Sequence, residues 1–114
     1  MAEVDKIYDV KVTNTAWAHM LEHARNLAKV SEVAANNFAD EFILKTETLK
    51  SMPERCPWLT HLSLPDKKYR KIFIGKHHIA LFYLKESIVY IAAVVDGRAD
   101  YGWIISADMS IPTD

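Results

Sequence analysis

Lys67-Lys-Tyr-Arg70-Lys-Ile-Phe-Ile-Gly75-Lys-His-His78-Ile-Ala-Leu-Phe-Tyr83-Leu-Lys-Glu86-Ser-Ile-Val-Tyr90-Ile-Ala-Ala-Val-Val95 is the stretch that decides the fold. It divides into three strand-like runs, near 68–74, 77–85 and 88–95, rich in β-branched and aromatic residues. Gly75-Lys76 and Glu86-Ser87 are short junctions compatible with tight turns, so the runs are expected to form an antiparallel meander. The last run is apolar on both faces, which predicts a central strand. Its expected neighbours are the preceding hairpin strand and a strand from earlier in the chain.

That earlier strand is Ile7–Val12, where Ile7, Asp9 and Lys11 alternate with Tyr8, Val10 and Val12. Thr13-Asn14-Thr15 then offers helix N-caps. From Ala16 the period changes. Trp17, Met20/Leu21, Ala24 and Leu27/Ala28 recur at three and four residues and make one apolar helix face. Ser31 caps a second helix, with Glu32 in its first turn where the helix dipole favours an anion. Ala35, Phe38, Ala39, Phe42, Leu49 and Met52 mark the buried face, and Pro53 and Pro57 stop the helix. Two helices joined by two or three residues form an α-hairpin. Residues 54–66 are an irregular connector pinned by Trp58, Leu59, Leu62 and Leu64. The expected fold is α+β, in the order β-α-α-β-β-β: a small antiparallel four-stranded sheet with a helical hairpin on one face. Tyr69, Phe82, Tyr83 and Tyr90 exceed what two helices can cover. The second face is therefore expected to be an apolar docking surface, unless the tail or a second copy covers it.

The 114 residues are enough for one domain with a modest core, ending in a polar tail at about 106–114. The formal net charge of −1 excludes a generic nucleic-acid binder, but the charge is unevenly placed. Residues 1–54 carry −3 and residues 55–114 carry +2; positions 67–78 hold five cations and no acid. A single cysteine, Cys56, excludes an intrachain disulfide. The opening Met-Ala-Glu-Val-Asp lacks the basic and apolar regions of a secretion signal, and no apolar run approaches a membrane span. A cytoplasmic protein without a membrane partner is expected.

The ordered set of elements resembles the RelE/ParE superfamily of bacterial toxins over residues 7–105, nearly the whole chain. The matching features are the short first strand, the helical hairpin and the connector Met52-Pro-Glu-Arg-Cys-Pro57-Trp58. The basic strand Lys68-Tyr-Arg70-Lys-Ile-Phe73, the run His77–Tyr83 and the ending Val94-Val-Asp96-Gly-Arg98, followed by Tyr101 or Trp103, complete the set. The resemblance implies the toxin of a type II toxin–antitoxin module of the plasmid-stabilisation kind, held inactive by a cognate antitoxin from an adjacent frame. In the RelE branch such a toxin cuts ribosome-bound mRNA; in the ParE branch it inhibits DNA gyrase.

The first of these, a metal- and cofactor-independent mRNA endoribonuclease, is the leading expectation. RNA cleavage of this kind needs a base, cations around the phosphate and a proton donor to the leaving oxygen. The expected catalytic groups are Arg70, His78, Arg98 and Tyr101, with Arg98 placed by the family match. Lys67, Lys68, Lys71, Lys76 and His77 are expected to bind RNA. Alternation sends Lys68 and Arg70 to one face and Lys71 to the other, so only one set can line a site. One departure favours the ParE branch as the alternative. Many RelE-type chains carry an arginine after a glycine and an aromatic in the second meander strand, where this chain reads Gly75-Lys-His-His78. A toxin fold without activity is the third reading.

Two motifs compete for attention. His19-Met-Leu-Glu22-His23 matches the H-x-x-E-H pattern of inverted zinc proteases, with both imidazoles on one helix face. Zinc also needs a third ligand, for which Glu41 and Glu47 are the nearby acidic candidates, on a helix whose other face must be core; no metal site is expected. Cys56, between Arg55 and Pro57, reads as a buried structural thiol and not as a nucleophile.

Overall fold

The computed structural model describes residues 6–62 and 64–99. Their elements run β1 (Asp9–Val12), α1 (Asn14–Ala28), α2 (Glu32–Glu47), two short 3-10 turns (Thr48–Lys50 and Pro53–Arg55), β2 (Arg70–Ile74), β3 (His78–Lys85) and β4 (Ile88–Asp96). Thr13 and Ser31 are the helix caps, accepting from the backbone N–H of Ala16 and Ala34 at 3.2 and 3.1 Å. The Thr13 hydroxyl also donates to the Ile91 carbonyl at 2.9 Å, so one side chain both starts α1 and fastens it to the sheet.

The sheet order is β1-β4-β3-β2, with β4 inside as its two-sided apolar pattern requires. The β2–β3 and β3–β4 pairs are antiparallel. The β1–β4 pair is parallel, so the sheet is mixed where an all-antiparallel one is expected. The direction follows from the helix that β1 feeds. Thr13 closes β1 beside Ile91, and α1 then advances along β4 towards Val94. A β1 running the other way would deliver α1 away from those contacts.

A bulge sets the two faces of β4. Leu81 pairs with Ala93 and Phe82 with Ile91, leaving Ala92 as an extra residue. Val89, Ile91 and Val94 therefore enter the cluster formed with Ala16, Met20, Phe38, Phe42, Ala80 and Phe82, beneath the helices. Ala92, Ala93 and Val95 join Leu59, Tyr69, Ile79 and Leu81 on the opposite face. Phe82 is thus helix-side core and not part of the second face. That second face is open only in part: Ile79, Leu81, Ala93 and Val95 are buried, with Leu59 and Leu64 of the connector packed against them, while Tyr83 and Tyr90 are half-buried.

Three anchors expected from the sequence lie outside the core. Met52 is exposed because the chain turns there in the left-handed region, with φ 49°. Leu62 is fully exposed, and Trp58 is partly so because it packs beneath an arginine instead of onto the sheet. Among the described residues, no helix is long and apolar enough to cross a membrane.

Gly97 closes the far end of β4, its N–H donating to the His77 carbonyl at 2.6 Å. A Cβ there would lie 3.0 Å from Ile79 Cδ1 and 3.2 Å from the His77 carbonyl oxygen, and the latter is backbone. Gly97→Ala is expected to destabilise the fold by about 1–3 kcal/mol through overpacking. Urea denaturation should show a lower midpoint at an unchanged slope.

Candidate functional site

The connector and the start of β2 are built around two arginines. Arg55 gathers the Thr48, Ser51 and Met52 carbonyls with its Nη1, at 3.3, 2.8 and 3.1 Å. Arg70 Nη1 donates to the carbonyls of Glu54 and Cys56 at 3.1 and 2.7 Å, while its guanidinium lies 3.8 Å over the centre of the Trp58 ring. Glu54 is held in turn by the Tyr8 hydroxyl at 2.7 Å. That hydrogen bond keeps the Glu54 carboxyl below its usual range and the Tyr8 phenol above its own. Cys56 is buried, and burial raises its thiol pKa, so it is the structural thiol that the sequence suggests.

Arg70 and Trp58 form one wall of a groove of about 610 Å³. Lys67, Lys68, Tyr83, Leu84, Lys85 and Tyr90 complete it. Tyr83 and Tyr90 stack with ring centres 5.2 Å apart and planes inclined by 19°. The Lys68 ammonium sits 5.1 and 5.8 Å from the centres of the Tyr69 and Tyr83 rings. The groove is therefore cationic and aromatic at once, at the end of the sheet where β2 begins and the β3–β4 hairpin closes.

The structure divides the sequence candidates among separate places. Lys67, Lys68 and Arg70 meet in the groove. Lys71 lies elsewhere, over the Phe73 ring at 5.6 Å. Lys76 and His77 occupy the turn after Ile74. The five residues of β2, at about 3.3 Å each, separate them from Lys68 by roughly 16 Å of strand. Arg98 forms a forked pair with Asp96, its Nε and Nη2 donating at 3.1 and 2.8 Å while its backbone N–H donates at 2.9 Å. Those bonds hold the Asp96 carboxyl far below the usual carboxylate range. Tyr101, like Trp103 and the tail, lies outside the described residues.

His78 is on the helix side of β3, buried against Phe38 and His23 with ring centres 4.6 and 4.7 Å away. Burial first, and the nearby His23 second, lower its pKa from the ordinary 6.5. Burial thus favours its neutral form, and it is not among the residues lining the groove. His19 and His23 also point inwards, to one residue of β4. The Val94 N–H donates to His19 Nδ1 at 3.2 Å, and His23 Nε2 lies 3.0 Å from the Val94 carbonyl. The H-x-x-E-H histidines thus close a sheet edge; among the described residues no cluster of three or more ligand-type side chains could hold a metal.

The sequence places Tyr83 and Tyr90 on a docking face without joining them to the cations, and it gives Trp58 and Lys85 no part in the site. A signal was available for three of them. Tyr83 and Tyr90 lie equally far from the Glu86-Ser87 turn and must pair, and Lys85 shares the Tyr83 face by strand alternation.

The model of the family described as ParE toxin of type II toxin-antitoxin system, parDE, matches residues 10–101, from β1 through the end of β4 and beyond. The chain belongs to the ParE toxin family. A solved structure titled "Chromosomal ParDE TA system from P. aeruginosa" resembles it with a TM-score of 0.64 at 12% identity, over 80% of this chain and 97% of that chain. At that identity the likeness is one of fold. No curated protein matches the chain in sequence. Family membership supports the toxin–antitoxin assignment on the ParE side of the superfamily.

The buried His78 has a consequence for stability. Its pKa is lower folded than unfolded, so the unfolded chain binds the extra proton first as pH falls. The contribution of His78 is therefore intact above pH 6.5 and is lost progressively as pH drops below it. Denaturation of the wild type and of His78→Leu across pH 7.5 to about 5 is expected to show a shallower decline for the variant. The Asp96 contribution belongs to a separate window, below its ordinary 3.8.

Proposed function

We propose that this protein is the toxin of a type II toxin–antitoxin pair and that it acts by binding DNA gyrase, without catalysis of its own. The observation that carries this reading is the ParE family match over 10–101. The disposition of the candidate catalytic groups favours it over messenger cleavage. General acid–base catalysis needs groups within hydrogen-bonding reach of one phosphate. Here the Arg98 guanidinium is engaged by Asp96, His78 lies beneath the helices, and Arg70 is bonded to connector carbonyls. A contact inhibitor needs no such convergence, only a firm surface complementary to its target.

The partner in the resting state is an antitoxin encoded beside the toxin, and the place of action is the cytoplasm, where gyrase works. Purified protein added to gyrase and relaxed plasmid is expected to block supercoiling, and prior mixing with the adjacent frame's product should restore it. Primer extension on messenger from induced cells should show no translation-dependent cuts. Cuts that vanish in a folded Arg98→Ala variant would replace this reading with the ribonuclease one. Silence in both assays would leave a toxin fold without activity.

A further inference from the structure

The groove at the start of β2 carries four cationic side chains, Lys67, Lys68, Arg70 and Lys85, and no carboxylate among its described lining residues. Arg70 has the Glu54 carboxylate within coulombic reach outside the groove lining; like charges confined together repel one another, and a bound anion relieves that repulsion. Lys67 projects from a left-handed turn, φ 54°, at the groove's rim. Arg70 is immobilised by two carbonyls and the Trp58 ring, so it offers a fixed charge. Between these cations lies the stacked Tyr83–Tyr90 pair. Leu84 is the sole aliphatic residue of the described lining.

This combination selects among anions. An acidic peptide bound by strand addition needs a free backbone edge. The adjoining edge of β2 is already engaged: the Lys71 N–H donates to the Pro57 carbonyl at 3.0 Å, and the Leu59 N–H to the Tyr69 carbonyl at 2.7 Å. Recognition here is left to side chains, namely aromatic faces flanked by ammonium groups. A planar base that stacks and a phosphate that pairs match that set. The volume of about 610 Å³ is within the range of small-molecule sites.

We propose that this groove binds a nucleotide, its base stacked on the Tyr83–Tyr90 platform and its phosphate held between Lys67, Lys68 and Lys85. The ligand is either a free nucleotide or one unit of a single strand; both present the same chemistry. The proposal goes beyond the gyrase reading and does not depend on it.

The test uses the full chain, a fluorescein-labelled hexathymidylate and ADP. Anisotropy of the labelled hexamer is expected to saturate and to weaken with salt, with a logarithmic slope of about 0.7 per phosphate neutralised. Tyr90→Leu should weaken binding roughly tenfold through lost stacking. Lys67→Gln combined with Lys85→Gln should weaken it and flatten the salt dependence. Thermal melting of each variant confirms that it is folded. Displacement by ADP identifies a free-nucleotide site; hexamer binding that ADP does not displace identifies a single-strand site. The proposal is overturned by the absence of saturable binding, by unchanged affinity in the folded variants, or by displacement with polyglutamate as effective as with unlabelled hexamer. Gyrase inhibition measured on the same variants separates the two ideas, since a groove without nucleotide affinity leaves that reading standing.

Discussion

Beyond Ile91, the buried central strand has no strand neighbour on one side among the described residues, because β1 ends at Val12. Buried backbone polar groups must find partners. Here the helix supplies them: His19 accepts from the Val94 N–H, and His23 reaches the Val94 carbonyl. A carbonyl can only accept, so His23 Nε2 carries a proton; His19 Nδ1 must be bare. Two imidazoles one helical turn apart thus stand in for a strand. This clamp, with Thr13 at Ile91, fixes the position of α1 on β4. The rest of the helix-side core follows from it. Met20 and Ala16 enter from α1, Phe42 stacks edge-on with Trp17, and Phe38 meets His78.

The same geometry explains why part of the fold was legible in the sequence and part was not. Periodicity located both helices, both caps and the three meander strands, because burial on one face or two leaves a repeat in the chain. It also placed Ile88–Val95 at the centre of the sheet. It could not give the direction of β1, since alternation is identical read either way; the packing of α1 decides that. Nor could it foresee the bulge at Ala92, which reverses the faces of the residues after it and keeps Val94 beneath the helices. The helix-side burial of Phe82 is hidden from the sequence for a related reason. Only the register of β3 against β4 shows which alternate set the helices cover.

The candidate site was legible in composition and not in place. Five cations within 67–78 make one patch on paper, but a strand is a spacer. β2 carries Lys76 and His77 to one end of the sheet and leaves Lys67 and Lys68 at the other. What gathers at the latter end comes from three segments: Trp58 from the connector, Lys85 from β3 and Tyr90 from β4. Local sequence cannot announce such a meeting. The pairing of Tyr83 with Tyr90 across a two-residue turn is the exception, because a hairpin's mirror positions are fixed once its turn is known.

The histidines show how the same side chain divides between chemistry and structure. An imidazole suits catalysis when it is accessible and titrates near neutral pH. His78 is buried against Phe38 and His23, and that burial lowers its pKa and favours its neutral form. His19 and His23 carry the spacing of a zinc motif, yet each directs a ring nitrogen at backbone. Binding a cation at His19 Nδ1 would take its lone pair from the Val94 N–H and leave a buried donor without a partner, a loss of about 1–3 kcal/mol. At His19 Nδ1 the sheet edge and a cation are alternatives, and in this fold the sheet edge holds that nitrogen.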